Sequence, residues 1–427
     1  SLLYDEQKAE EKKPSLIICP ASMVYNWESE IRRFAPTLHV CSLSVSVAER
    51  RKLMEKKDID VFLVSYELLK RDVEQYRERS FSFFVVDEAQ NIKNHHTKVS
   101  KAVKSITASC RFALTGTPIE NQLSELWSIF DFIMPGLLGK YEEFRERYEV
   151  PIVQKRDDVA LEQLKKIVQP FMLRRLKQDV LKELPEKVET IVYSKMEPAQ
   201  REIYIANLQN VLDNLKSQKN VGKQSERIEI LAELIRLRQL CCDPALLYED
   251  YEGGSAKMET CLELIRNVIQ GGSKVLVFSQ FTAFLNRIQE QLNQMEIESY
   301  LLVGTTPKSK RSELVQRFNE TDEAKVFLIS LKVGGTGLNL TAANVVIHVD
   351  PWWNAAAQNQ ATDRAYRMGQ KKAVTVFKLI TKNTLEEKIY ELQIQKAALS
   401  TSVMGVDGMT PSNLSREELL EILQISE

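Results

Sequence analysis

The sequence predicts an α/β protein: two parallel-sheet units flanking a helical insert. Three observations predict it. Short apolar runs alternate with helical patterns through the first third of the chain, a charged and proline-punctuated helical stretch follows, and then the α/β rhythm restarts. Apolar runs of about 4–8 residues joined by crossover helices are how a parallel sheet covered on both faces reads in sequence.

In the first unit, SLIICP (residues 15–20) is a strand and NWESEIRRFA its helix. DVFLVSY (60–66) pairs with the helix ELLKRDVEQY, FSFFVVDEA with TKVSKAVKSI, and CRFALTG is a fourth strand. From Asn121 to about Leu247 the pattern is mostly helical, with Pro135, Pro151, Pro170, Pro185 and Pro198 as punctuation. Within it, SKMEPAQREIYIANLQNVLDNLK is a long amphipathic helix, QKNVGKQSE (218–226) a polar break and YEDYEGGSA (248–256) a linker. METCLELIRNVI then begins the second unit as a helix. SKVLVFSQF (273–281), SYLLVG, KVFLIS (325–330), NVVIHVD (344–350) and VTVFKLI (374–380) are its strands, with FLNRIQEQLNQM a further helix. The tail PSNLSREELLEIL is a helix in which Ser415 and Glu418 fit a capping box. The expected boundaries are 1–135, 136–250 for the helical part and linker, 251–400, and 401–427 for the tail.

A chain of 427 residues has room for two or three domains. Its 44% hydrophobic and 27% charged residues are ordinary for globular protein. No apolar run approaches the roughly 18 residues of a membrane span, so no membrane partner is expected. The opening SLLYDEQKAEEKK is neither a signal nor a transit peptide. It starts mid-way through a polar, helix-like stretch, so the chain is read as cut from something longer. Net charge is −1, from 58 basic and 59 acidic residues, which excludes a chain basic throughout but not a local basic groove. The six cysteines form no C-x-x-C pair, and with four histidines a zinc site is not expected. Cys19 and Cys110 stand in apolar surroundings and are expected to be buried thiols, in keeping with a reducing compartment.

Four constellations carry chemistry. The strand ending at Asp87 and Glu88 delivers two carboxylates, one suited to hold Mg²⁺ and one to orient a hydrolytic water; a surface turn accounts for the dipeptide equally well. The next strand ends ALTGTPIEN (113–121), a tight turn at the same sheet edge, and ligands of open α/β sheets bind at the carboxyl ends of strands. SLKVGGTGLNLTAANVVIHVDPWWN (330–354) has three glycines in four positions between two apolar strands, which lets backbone approach a ligand closely. In QNQATDRAYRMGQ, Arg364 and Arg367 are three apart and share a face if they lie on a helix. Arginine fingers of this kind are worth roughly 10³–10⁵ in rate. A solvated basic face explains the charges, but not Gln360 and Asp363 nearby or the abrupt MGQ stop.

Together these segments resemble the Swi/Snf-type branch of the superfamily-two helicases, ATP-driven DNA translocases built from two RecA-like lobes. LIICPASMVYNWESE resembles the family's motif Ia, VSYELLKRD Ib, DEAQNIKN (the DEAQ box) II and LTGTPIEN III. VLVFSQFTAFL resembles IV, the glycine-rich stretch V, and QATDRAYRMGQ VI. FMLRRLKQDVLKELPEKVE (171–189) is similar to the stretch joining the lobes, and LRQLCCDPALL (237–247) to the second helical protrusion. The likeness runs from Leu16 to about Ala398, and its wording is closer to bacterial members than to nuclear remodellers.

The resemblance implies roles. Asp87 and Glu88 would serve Mg²⁺–ATP, with Glu88 activating water and Gln90 sensing nucleotide. Thr115, Gly116 and Thr117 would couple hydrolysis to lobe movement. Arg364 and Arg367 would contact the γ-phosphate, supported by Gln360 and Asp363, with Gly335 and Gly337 close to nucleotide and DNA. Double-stranded DNA would be held through its phosphates, which position without reading sequence. The implied contacts are Pro20, Ser22, Trp27, Ser65 and Tyr66 on the first lobe and Ser279, Gln280, Lys332 and Thr336 on the second. Trp352 and Trp353 fit either packing or DNA contact, and Arg174 and Arg175 either bracing between lobes or DNA contact.

One part of the pattern is absent: the 427 residues contain no G-x-x-x-x-G-K-[ST] run, and VGKQS (221–225) lacks both the strand and the upstream glycine. The chain alone is therefore expected to hydrolyse ATP poorly or not at all, and its parent to be a DNA-stimulated ATPase that displaces or remodels DNA-bound protein. The competing expectation is a non-catalytic module that binds DNA or RNA polymerase. The location would be cytoplasmic and nucleoid-associated in a bacterium, nuclear in a eukaryote.

Overall fold

The computed structural model describes residues 13–21, 23–116, 123–155, 157–173, 175, 184–217, 224–334, 338–400 and 423. They fall into two compact units that meet in sequence between Arg174 and Arg175. Among the described residues no helix is long and apolar enough to cross a membrane.

The first unit holds a five-stranded sheet in the order β2-β3-β1-β4-β5, with every pair parallel. Its strands are β1 (Ser15–Cys19), β2 (Val40–Ser42), β3 (Val61–Ser65), β4 (Ser80–Asp87) and β5 (Thr107–Leu114). Alternation of side chains along each strand divides the apolar residues between two faces. Leu16 and Ile18 enter one core with Phe62, Val64, Phe84 and Val86. Ile17 and Cys19 enter the other with Val61, Leu63 and helix α1 (Val24–Phe34). This two-sided burial is why the strands read as unbroken apolar runs.

Two features were not legible. β2 has three residues, too few to register as a run. β5 is the outermost strand, and Cys110, Phe112 and Leu114 on it are exposed. The expectation of a buried Cys110 is thus corrected: apolar neighbours in sequence bury a side chain only where another element covers that side of the sheet. Cys19, in the centre of the sheet, is buried as expected.

Helix α2 (Tyr66–Arg71) follows β3 directly. Helix α3 (Leu123–Ile133) serves two cores at once. Ile129 and Phe132 pack on the sheet, while Leu126, Trp127 and Phe130 join Phe144, Tyr148, Leu164 and Val168 in a separate helical cluster.

The second unit has a six-stranded sheet in the order β6-β11-β10-β7-β9-β8, again wholly parallel. Its strands are β6 (Lys187–Ser194), β7 (Val275–Ser279), β8 (Ser299–Leu302), β9 (Val326–Ser330), β10 (Val345–His348) and β11 (Val374–Thr381). Val275 and Val277 face one core, Leu276 and Phe278 the other. β6 comes from the stretch read as mostly helical. Among the described residues it pairs only with β11; it leaves most of its residues exposed and carries charges that hide its strand character. Glu189 on β6 accepts from Lys187 at 2.7 Å and, across the strands, from Lys378 at 2.6 Å.

The long helix expected over residues 194–216 is α4 (Pro198–Ser217), starting later than expected because Ser194 ends β6. It packs against α5 (Gln224–Cys242) through Tyr204, Leu208, Val211, Leu234 and Leu237. Trp353, Leu385 and Ile389 close the same cluster. Trp353 is therefore a packing residue, and Trp352 is partly buried against the same core. Lys257 on α6 (Ala256–Gln270) and Glu386 on α7 (Leu385–Ser400) form a fully buried ion pair. The capping box expected at Ser415 and Glu418 lies outside the described residues.

Candidate functional site

Strand register gathers the first-lobe candidates along one sheet edge. Ile18 lies opposite Val86, Cys19 opposite Ser65, and Asp87 opposite Leu114. The residues that follow each strand end, Pro20, Tyr66, Glu88 and Thr115, therefore emerge side by side at the carboxyl edge, where ligands of such sheets bind.

At Asp87 both carboxylate oxygens are held. The indole Nε1–H of Trp27 donates to Oδ2 at 2.8 Å and the Glu88 N–H donates to Oδ1 at 2.9 Å. The Tyr66 hydroxyl donates to the backbone carbonyl of Asp87 at 2.5 Å and approaches that of Glu88 at 3.3 Å. Burial, and after it the negative field of Asp87, pushes the Tyr66 phenol well above its ordinary value. The same two causes push the Cys19 thiol up to about 12. A buried phenol and a buried thiol, both held in their neutral forms, thus stand beside Asp87.

Glu88 has φ 52° and ψ 58°, the left-handed region. For a residue with a Cβ that conformation costs about 1–2 kcal/mol, and such outliers cluster at functional sites. It begins a 3₁₀ turn, Ala89–Ile92. The turn is anchored at its far end by Ser128 and Ser100, whose hydroxyls donate to the Ile92 carbonyl at 2.7 and 3.2 Å. Gln90 Nε2 donates to Glu88 Oε2 at 2.7 Å, and Thr115 Oγ1 donates to Gln90 Oε1 at 3.0 Å. A hydrogen-bonded chain therefore links the TGTP strand end to the Glu88 carboxylate.

Several implied DNA contacts are turned inward. Ser65 is buried, and its hydroxyl caps α2 by accepting from the Leu68 N–H. Tyr66 is buried and spends its hydroxyl on the Asp87 carbonyl. Trp27 is engaged with Asp87. In this arrangement none of the three offers its polar group outward. Pro20 is part-buried at the edge, and Gly116 is exposed. Ser22 and Thr117 lie outside the described residues.

The second lobe gathers its candidates less completely. Ser279 is fully buried, and its hydroxyl donates to Asp350 Oδ1 at 2.5 Å. The Gln280 N–H donates to the same carboxylate at 3.2 Å, and Gln280 Oε1 accepts from Arg238 Nη1 at 3.0 Å. Arg238 Nη2 reaches Asp350 Oδ2 at 3.4 Å and also donates to the Pro351 carbonyl. Burial raises the Asp350 carboxyl above its ordinary value, although Arg238 and the Ser279 hydroxyl oppose that. Neither Arg238 nor Asp350 was singled out from sequence. The available signal was an Asp two residues past an apolar strand, NVVIHVDP.

The expectation of two arginines on one helical face is corrected. The helix Ala355–Thr362 ends before them, with Asp363 as its C-cap. Arg364 and Arg367 lie in the turns that follow, where three-residue closures such as Arg364 N–H to the Ala361 carbonyl replace the helical ladder. Gly369, at φ +98°, completes the reversal. Arg364 is buried, and Arg367 donates to the Leu338 carbonyl at 3.3 Å. Gln360 is part-buried on the helix. Arg175 is exposed. Gly335, Thr336, Gly337 and Arg174 lie outside the described residues, as does the side chain of Lys332.

The SNF2-related domain family matches residues 1–246, and the helicase conserved C-terminal domain matches residues 256–369. The chain belongs to the SNF2-related family. Its two sheets are the RecA-like lobes of that fold. A Mycoplasma pneumoniae protein described as an uncharacterized ATP-dependent helicase is 38% identical, covering 96% of this chain and 39% of the relative. A Bacillus subtilis protein described as a putative ATP-dependent helicase/translocase is 38% identical, covering 99% and 46%. The chain thus spans less than half the length of these curated relatives. The SWI2/SNF2 ATPase core of Sulfolobus solfataricus, solved in complex with dsDNA, is 39% identical, covering 100% of this chain and 89% of that one with a TM-score of 0.49.

Both relatives are described as ATP-dependent, and Mg²⁺ is the usual companion of a nucleoside triphosphate. The residues present fit a hard cation. A carboxylate has about four lone-pair sites, and Asp87 commits two of them to Trp27 and Glu88. Its oxygens are thereby oriented while acceptor capacity remains.

Proposed function

We propose that this chain is the motor portion of an ATP-dependent translocase on double-stranded DNA that remodels or displaces DNA-bound protein. The observation that carries the reading is the carboxyl edge of the first sheet. There an oriented Asp87, a strained Glu88 and the Thr115–Gln90–Glu88 chain stand together. Bound Mg²⁺ would neutralise phosphate charge; Asp87 would hold it, and Glu88 would orient the attacking water. Gln90 and Thr115 would tie the water-orienting carboxylate to the turn that responds to lobe movement. Arg364 and Arg367 would supply positive charge to the transferring phosphoryl group, with Gln360 and Asp363 beside them. Duplex DNA would be gripped through phosphates, so binding should be largely independent of sequence and weaken steeply with salt.

The inward-facing hydroxyls change one part of the picture. Trp27, Ser65 and Tyr66 in the first lobe, and Ser279 and Gln280 in the second, spend their polar groups inside their own lobe, which leaves Pro20, Ser22, Lys332 and Thr336 as the proposed DNA contacts. Without a glycine-rich loop and lysine to offset triphosphate charge, the 427 residues by themselves should hydrolyse ATP poorly.

A DNA-stimulated ATPase assay on the full-length protein tests the reading, with Glu88→Gln and Arg367→Ala as controls. Duplex-stimulated turnover lost in both variants is expected. Turnover indifferent to DNA, or retained in Glu88→Gln, would overturn it.

A further inference from the structure

We propose that Trp27 is a positioning residue for Asp87: its indole N–H fixes the carboxylate plane from which the nucleotide's cation is held. This rests on the reading of Asp87 as the cation-holding carboxylate.

Trp27 lies one turn into α1, the helix that follows β1. Its ring packs against the core formed by Ile17, Cys19, Val24 and Leu63, so the indole is fixed by apolar contacts rather than by the carboxylate. From that seat Nε1 reaches Asp87 Oδ2 at 2.8 Å, across 60 residues of sequence. Packing alone calls only for a ring. The indole N–H is donor only, and here its one hydrogen goes to a carboxylate oxygen. The other oxygen is set by the Glu88 N–H at 2.9 Å and the backbone by the Tyr66 hydroxyl at 2.5 Å. Of these three, Trp27 is the side chain that acts on the carboxylate itself.

Outer donors that orient a metal-holding carboxylate typically change metal affinity by about 10–100-fold when removed. The bond also joins two segments, because Trp27 lies seven residues beyond Pro20 at the end of β1. A shift of α1 against its strand would alter the carboxylate directly.

The test compares full-length wild type, Trp27→Phe, Asp87→Asn and Trp127→Phe. The readout is Mn²⁺ affinity by electron paramagnetic resonance, with a non-hydrolysable ATP analogue present. Trp27→Phe keeps a packing ring and should weaken Mn²⁺ binding about 10–100-fold. Trp127→Phe loses an indole bond to the Gly139 carbonyl elsewhere in the lobe and should leave the affinity unchanged. Asp87→Asn should weaken it at least as much as Trp27→Phe. An unchanged affinity in Trp27→Phe beside a weakened Asp87→Asn would overturn this proposal alone, whereas an unchanged Asp87→Asn would overturn the functional reading beneath it. Should Trp27→Phe fail to fold, wild-type protein labelled with 5-fluorotryptophan decides. A ¹⁹F resonance broadened by Mn²⁺–nucleotide and shifted by Asp87→Asn is expected, and the absence of any such resonance would refute the contact.

Discussion

Replacing Arg238 by Met should be among the most damaging changes in the second lobe. Arg238 is 1% exposed and Asp350 0% exposed, so the substitution leaves a carboxylate in the interior without its cation. Removing one partner of a buried pair typically costs about 3–5 kcal/mol. Met restores much of the volume but none of the bonds to Asp350, Gln280 and Pro351. In a unit of this size each kcal/mol shifts Tm by roughly 2–4 °C, so the expected drop is about 6–20 °C.

The pH dependence gives the signature. Burial already raises the Asp350 carboxyl, and Arg238 opposes the rise. With Arg238 gone the folded-state value climbs further, so the native state binds a proton more readily than the unfolded chain. Stability of the variant then falls as pH rises through that range. The penalty should be fully present at neutral pH and shrink on acidification, because a protonated carboxyl needs no counter-charge. Adding Asp350→Asn, which keeps an acceptor for Ser279, should recover most of the loss. The assay is urea unfolding followed by hydrogen exchange in β7 and β10, between neutral pH and about pH 5. A loss below about 1 kcal/mol, or one that does not change with pH, would refute the reasoning.

Four further outcomes are expected. Glu88→Gly relieves left-handed backbone worth about 1 kcal/mol but loses the Gln90 hydrogen bond, worth about as much, so the melt should barely move while ATP turnover by the full-length protein disappears; thermal melts and turnover check the two halves. Thr115→Val removes one hydrogen bond worth about 0.5–1.5 kcal/mol, so turnover should fall up to about tenfold while the melt drops by no more than about 6 °C. Iodoacetamide on native protein should label Cys110 rapidly and spare the five buried cysteines, read by mass spectrometry. Burial pushes the Glu189 carboxyl up, but the Lys187 and Lys378 hydrogen bonds outweigh it and bring the value down to about 2. Its stabilising contribution should therefore be full above the ordinary carboxylate range and vanish as pH falls toward 2. Protection of β6 amides measured against pH would show this.

The sequence by itself determined the fold class and the family. Strands buried on both faces must be apolar along their whole length, so β1, β3, β4 and the central strands of the second sheet announced themselves. The DEAQ, TGTP and arginine motifs are local runs, and their order carried the family. Strands that do little burying stayed hidden: β2 is too short, and β6 is a charged edge. What only the tertiary structure decided is which way the polar groups point. Register brings Cys19, Asp87 and Leu114 to one edge, but no spacing rule says that Trp27, 60 residues away, turns its indole onto Asp87. Nor does spacing say that Ser65, Tyr66 and Ser279 face inward, that a helix stops at Thr362 before its two arginines, or that Arg238 meets Asp350 across 112 residues. Those outcomes depend on packing between segments distant in the chain. A side chain's partner is set by the whole core around it, whereas its type and spacing are set by the residue itself.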